Sequence, residues 1–433
     1  MHDSPRPIAT ACLLAVSLLF VAPPAYSQAP PAGVRAVTAV EGVDEYRLPN
    51  GLQVLLIPDD SKPTTTVNLT YRVGSRHENY GETGMAHLLE HMLFKGSPKH
   101  PRAWEEFQKR GLAANGSTWF DRTNYTASFA ANEANLDWYL GWLADSMVNS
   151  YVARKDLDTE MTVVRNEMER GENNPNRILM QRTMALMFDW HSYGKSTIGA
   201  RADVENVDIP RLQAFYRLYY QPDNATLTIA GKFDTARVLK SVADSLGAVP
   251  KPARPLPLLY TLDPVQDGER SVTLRRVGGT PLIQAGYHVP AGPARDYAAI
   301  ELLTVILGDT PSGRLYKRLT QKQLASGVSS YAFAQHDPGA MFVGAQLAPG
   351  QDVDKARAEL LATVESIARE PITADELARA KLKWAKDWEQ SFTDPEQVGL
   401  AMSESISQGD WRLFFLTRDR VRDAQLADVQ RVA

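Results

Sequence analysis

The spacing of apolar positions changes period several times along the chain, and each change marks an element. Residues 46–57 carry two apolar stretches, Tyr46-Arg47-Leu48 and Leu52-Gln53-Val54-Leu55-Leu56-Ile57, on either side of Asn50-Gly51. That arrangement is the strongest short-range signal of a β-hairpin. Residues 64–73 (TTTVNLTYRV) read as a third, β-branched strand. Over 82–94 the period becomes helical, with Met85, Leu88, Leu89, Met92 and Leu93 on one stripe and Thr83 placed to cap its start. Beyond it the pattern predicts a strand over 125–130, a long helix over 134–149 and a closing strand over 225–230. Strands and helices mixed without strict strand–helix–strand alternation point to an α+β unit over 46–247.

A second unit follows. The stretch VPKPARPLP, residues 249–257, has four prolines in nine residues and predicts a semi-rigid linker over 248–268. Residues 269–433 then repeat the first unit in outline. Strands are expected over 271–277 and 282–289, and Tyr287 lies in a setting like that of Tyr71 at an offset of 216 residues. At the same offset 296–307 falls near the first predicted helix and 426–433 falls near 209–215. The counterpart of strand 225–230 falls beyond Ala433, so either the sequence stops early or the second half lacks its last strand.

The N-terminal region is of another kind. Residues 11–22 (ACLLAVSLLFVA) form an apolar run too short to span a bilayer, followed by Pro23-Pro24 and the small residues Ala25 and Ser27. This predicts a cleaved signal peptide over 1–27, and hence a periplasmic or secreted protein with no membrane span after processing. Residues 28–45, rich in Ala, Pro and Val, are expected to be a flexible lead-in. The one cysteine, Cys12, lies inside the signal, so disulfides and thiol chemistry are excluded from the mature chain. With 433 residues, 44% hydrophobic and 23% charged, the chain is long enough for two cores, and a net charge of -4 gives no reason to expect a nucleic-acid partner.

The chemistry concentrates in His87-Leu88-Leu89-Glu90-His91. Residues four apart share a helix face, so His87 and His91 can offer two imidazole nitrogens to one ion, with Glu90 close by. Apolar neighbours Leu88, Leu89, Met92 and Leu93 draw this helix into a core, where unpartnered histidines are costly. Zinc is the natural candidate, held by two imidazoles and a carboxylate with a fourth position open. A further ligand must come from elsewhere, and the segment EMTVVRNEMERGENNP, residues 160–175, is the best source. Its Glu160 and Glu167 are seven residues apart, nearly two turns, and share a face with Val163 and Val164.

At this point the chain resembles the pitrilysin or insulinase family of inverted-motif zinc metallopeptidases. Four features carry the resemblance: HLLEHMLFKGS at 87–97; NGSTWFDRTNY at 115–125; the 160–175 segment, with Glu167 lying 76 residues after His91; and His191-Ser192-Tyr193-Gly194. It implies one zinc ion per chain on His87, His91 and Glu167, Glu90 as general base, and Glu160 as a carboxylate orienting a ligand histidine. It also implies that Asn115 and Gly116 lie on a sheet edge that takes an extended peptide as an added strand. The implied fold is two homologous α+β halves forming a clamshell around a chamber, only the first half carrying metal. The second half departs from the family. In LYKRLTQKQLASGVSS, residues 315–330, Thr320 and Ser326 stand where an Arg and a Tyr are expected, and Arg318 and Tyr331 are wrongly spaced. The resemblance therefore implies the catalytic subunit of a two-chain peptidase whose homologous partner supplies the Arg/Tyr pair, a homodimer being the other arrangement. A non-catalytic core or scaffold subunit of the same fold is the alternative.

Overall fold

A computed structural model describes residues 30–433. The expected signal peptide and Cys12 lie outside the described residues. The first half runs β1 (Arg35–Val40), β2 (Val43–Arg47), β3 (Gln53–Pro58), β4 (Thr64–Tyr71), α1 (Met85–Leu93), α2 (Ala103–Arg110), β5 (Ala113–Thr118) and β6 (Thr123–Ala130). It continues with α3 (Glu133–Asn149), α4 (Arg154–Glu172), α5 (Pro175–Met187), α6 (Arg201–Glu205), α7 (Ile209–Tyr219), β7 (Ala225–Gly231) and α8 (Thr235–Asp244). The second half comprises β8 (Leu282–Val289), α9 (Tyr297–Gly308), β9 (Gly327–Ala332), β10 (Gly339–Gln346), α10 (Val353–Glu365), α11 (Ala374–Phe392), α12 (Pro395–Ser407), α13 (Leu413–Asp423) and α14 (Leu426–Val432).

The first seven strands form one sheet in the order β1-β2-β3-β7-β4-β6-β5, antiparallel except for the β3–β7 pair. The other three form a second sheet, β8-β10-β9. Its order matches β4-β6-β5, with each strand in its place in the repeat. The 216-residue offset carries β6 onto β10, Gly339–Gln346, without slippage. The fold is thus α+β, built from two homologous halves.

The halves hold each other through exchanged helices. On β4, Val67, Leu69 and Tyr71 face one side, while Thr66, Asn68 and Thr70 face the other, and every one of these is buried. Alternation of this kind normally marks a wet face. Here α12 from the second half covers it: Asn68 Nδ2 donates to the Gly399 carbonyl and to Ser403 Oγ, each at 2.7 Å, and Oδ1 accepts from Asn124 at 3.0 Å. In return α5 lies on β8, where Gly286 leaves room that a Cβ would lose to Met187 Sδ at 2.5 Å.

Three expectations need correction. The flexible lead-in expected over 28–45 does not hold over its described part, because β1 pairs with β2 around Glu41 and Gly42, both at positive φ (48° and 85°), as a tight hairpin turn requires. Long-range contacts order it: Arg418 forks onto Glu41, and Trp411 Nε1 donates to Glu45 at 2.8 Å. Residues 271–277 form no strand. They are exposed, and no other strand among the described residues lies alongside them. Thr83 does not cap the first helix: its hydroxyl donates to Asp203 at 2.6 Å, and Gly84 occupies the cap position.

Candidate metal centre

Helix α1 follows from its sequence: Met85, Leu88, Leu89, Met92 and Leu93 are all buried, and the same winding brings His87 and His91 to the half-buried flank facing α4. On α4, Leu157, Met161, Val164 and Met168 are buried, which turns Glu160 and Glu167 toward the histidines. Val163 does not share that face and is exposed. Glu169 and Glu172 point to solvent.

Three ligand atoms converge. His87 Nε2 and His91 Nε2 are 3.3 Å apart, and Glu167 Oε2 lies 3.4 Å from each. Tetrahedral zinc with bonds of about 2.0–2.1 Å holds its ligands about 3.3–3.4 Å from one another, so the observed triangle has the size such an ion demands. The donor set of two imidazoles and one carboxylate also suits it. Among the described residues, His87, His91 and Glu167 form the one group of three His, Cys, Asp or Glu side chains close enough to share an ion. His87 Nδ1 is buried without a hydrogen-bond partner, so the ring is oriented only from its Nε2 side, toward His91 and Glu167.

The electrostatics favour a cation. In the metal-free protein, burial alone would lower the pKa of His91, but hydrogen bonds with Glu160 and Glu167 outweigh it and raise the value to about 9. Glu167 is held well below the usual carboxylate range, first by its contact with His87 and then by that with His91. Glu160, buried, sits behind the triangle: its Oε1 lies 2.9 Å from His91 Nδ1, and Lys95 pairs with its other oxygen.

Glu90 and the edge of the first sheet lie against each other. Strand β5 pairs with β6 on one side and leaves its other edge open. Gly116 on β5 comes so near Glu90 that a Cβ there would meet Glu90 Cγ at 2.7 Å and Oε1 at 3.1 Å. Two residues along the same face, Thr118 Oγ1 donates to Glu90 Oε2 at 2.6 Å. Asn115, exposed, accepts the Gly116 N–H at 2.9 Å through its own side chain. Sequence reasoning gave Thr118 no part, although it stands in the 115–125 motif; strand periodicity from Gly116 was the signal that could have found it.

Among the described residues, the second half brings no side chain into this constellation. Thr320 ends a π-helical turn, Arg318 pairs with Glu370, and the Tyr331 hydroxyl accepts from Gln284 at 3.0 Å. Arg314 is likewise occupied, by Glu376 and the carbonyls of Glu370 and Pro371.

Two homologous α+β halves, the first bringing two histidines and one carboxylate into an ion-sized triangle, define a class of two-half proteins with one candidate metal centre. Residues 53–201 match the family described as Insulinase (Peptidase family M16), and residues 206–383 match the Peptidase M16 inactive domain. The zinc protease PqqE of Helicobacter pylori is 30% identical over 400 residues, covering 90% of this chain and 89% of its own. A crystal structure of a protease from Helicobacter pylori is similar with a TM-score of 0.84 at 28% identity, over 90% of this chain and 95% of that one. The first half of the periplasmic protease PqqL from Escherichia coli shares the fold, with a TM-score of 0.74 at 19% identity over 92% of this chain and 90% of that one; of whole PqqL the chain spans 46%. The chain belongs to peptidase family M16.

Proposed function

We propose that this protein is a zinc-dependent endopeptidase that cleaves short or unfolded peptides, with His87, His91 and Glu167 holding the ion and Glu90 as general base. The observation that carries the reading is the triangle of ligand atoms, sized for one tetrahedral ion, with a carboxylate and an open strand edge beside it. Zinc bound there supplies a Lewis acid that polarises the scissile carbonyl and lowers the pKa of the attacking water. An extended peptide adds to the free edge of β5 near Asn115 and Gly116, held by main-chain hydrogen bonds. The missing Cβ of Gly116 lets that strand come against Glu90. Thr118 fixes Oε2 of Glu90, leaving Oε1 to take the proton from water and return it to the leaving amine. Glu160 orients His91 by bonding its Nδ1, which directs Nε2 toward the ion.

A homologous partner chain completes the enzyme in this reading. Support comes from Thr320 and Ser326 in place of the family's Arg and Tyr, and from whole PqqL, a protein about twice the length this chain spans. A periplasmic or secreted location is supported by the apolar run at 11–22, and PqqL is itself named periplasmic. No helix among the described residues is long and apolar enough to cross a membrane. Glu90→Gln tests the activity: the variant is expected to keep zinc and lose cleavage of a quenched peptide library, and unchanged turnover overturns the assignment. Comparing the chain alone with the chain plus its genomic neighbour's product tests the pairing; full activity of the isolated chain as a monomer rejects it.

A further inference from the structure

Helix α1 has an unusual start for one that carries two ligands. His87 stands in its first turn, where backbone N–H groups have no intrahelical acceptor and the helix frays most readily. The residue at the cap position cannot help. Gly84 has φ 92°, and a Cβ there would meet Val204 Cγ2 at 2.7 Å and the Ile198 carbonyl at 2.8 Å, so Ser, Thr, Asp or Asn has no room. The capping is done from outside the helix. Glu78 is 2% exposed, and its carboxylate spans the opening of α1: Oε2 accepts from the Gly84 N–H and Oε1 from the Ala86 N–H, both at 2.8 Å.

Glu78 is in turn fixed from the far side. It closes the short turn Ser75–His77, and its backbone carbonyl accepts from Lys195 Nζ at 3.2 Å and Ser192 Oγ at 3.4 Å. Arg76 on that turn pairs at 2.7 Å with both Asp121 and, from the second half, Asp337. His191 Nε2 also lies 3.1 Å from Asp337, and Tyr193 donates to Asp121. The turn is thus anchored to the second half at one end and grips α1 at the other.

We infer that Glu78 is a positioning residue for the metal centre: its two-oxygen grip sets the rotation and height of α1 so that His87 and His91 meet Glu167. One residue of helical winding turns a side chain by about 100°, so a loosened first turn takes His87 off the ion before it disturbs His91 one turn deeper. This rests on the ligand assignment of the preceding section.

The test is zinc affinity by chelator competition on the full chain, comparing Glu78→Gln with Val242→Ala, a buried truncation on α8 that touches none of these groups. Glu78→Gln is expected to weaken zinc binding at least tenfold yet still load to one ion at saturating metal. Val242→Ala is expected to lower Tm as much or more while keeping wild-type affinity. If Glu78→Gln does not fold, Glu78→Asp, one methylene too short to reach both N–H groups, gives the same readout. Wild-type affinity in the Glu78 variant, or an equal loss in Val242→Ala, overturns the inference. Glu167→Ala run in parallel separates the two claims: if it retains zinc, the ligand assignment fails; if it loses zinc while Glu78→Gln binds normally, the positioning role alone fails.

Discussion

Glu160 and Glu167 grip His91 from opposite sides: Oε1 of Glu160 lies 2.9 Å from Nδ1, and Oε2 of Glu167 lies 3.4 Å from Nε2. One carboxylate therefore fixes the ring and its tautomer while the other faces the place where an ion fits. Glu160→Gln should leave the ligand set whole but relax the ring. We expect zinc affinity to fall about 10- to 100-fold, measured by competition with a chelator, with little change in Tm of the zinc-loaded protein. Unchanged affinity would assign Glu160 to the Lys95 ion pair alone.

Gly116→Ala should be costly out of proportion to one methyl group. Its Cβ would sit 2.7 Å from Glu90 Cγ, against the side chain proposed to move the proton, so either the strand or Glu90 must shift. A displacement of about 1 Å costs on the order of 100-fold in kcat/KM. The variant should bind zinc normally and stay folded, which peptide turnover, metal content and circular dichroism together would show.

Thr118→Val keeps shape and removes the hydroxyl that donates to Glu90 at 2.6 Å. Hydrogen bonds to charged groups contribute roughly 1.5–3 kcal/mol, so we expect kcat to drop about tenfold or more with KM nearly unchanged. A change confined to KM would place Thr118 in substrate binding instead.

The second half offers a test of acid stability away from the metal. Hydrogen bonds from Arg314 hold Glu376 at a pKa of about 2, below its ordinary 4.5. A carboxylate with a depressed folded-state pKa stabilises the fold fully above the ordinary value, and this is lost as pH falls from 4.5 toward 2. Glu376→Gln should therefore cost about 1–2 kcal/mol at pH 7, after allowing for solvent screening, and the gap to wild type should close across that window. Urea titrations at pH 7 and pH 3 measure it; a gap that stays constant with pH refutes the pairing energy.

What the sequence made legible was what local winding controls. The stripe of Met85, Leu88, Leu89, Met92 and Leu93 dictates α1, and the same winding brings His87 and His91 side by side; the seven-residue spacing of Glu160 and Glu167 does the same on α4. What stayed hidden depends on partners distant in the chain. The β1–β2 hairpin is held at its turn by Arg418 and on β2 by Trp411, hundreds of residues away, and composition alone reads the segment as loose. The polar face of β4 looks like a solvent face until α12 closes over Asn68 and Thr70. Residues 271–277 have strand composition, yet a strand needs a neighbour and none lies beside them among the described residues. Thr118 follows from Gly116 by strand periodicity, but its partner Glu90 is set by the packing of α1 against β5, which no spacing along the chain reveals.

The central claim is that His87, His91 and Glu167 hold one zinc ion. Its most direct test is the zinc content of wild type and Glu167→Ala, purified without chelator and measured by elemental analysis. We expect one equivalent per chain in the wild type and a small fraction of that in the variant. Equal zinc in the two, or none in the wild type, would contradict the account.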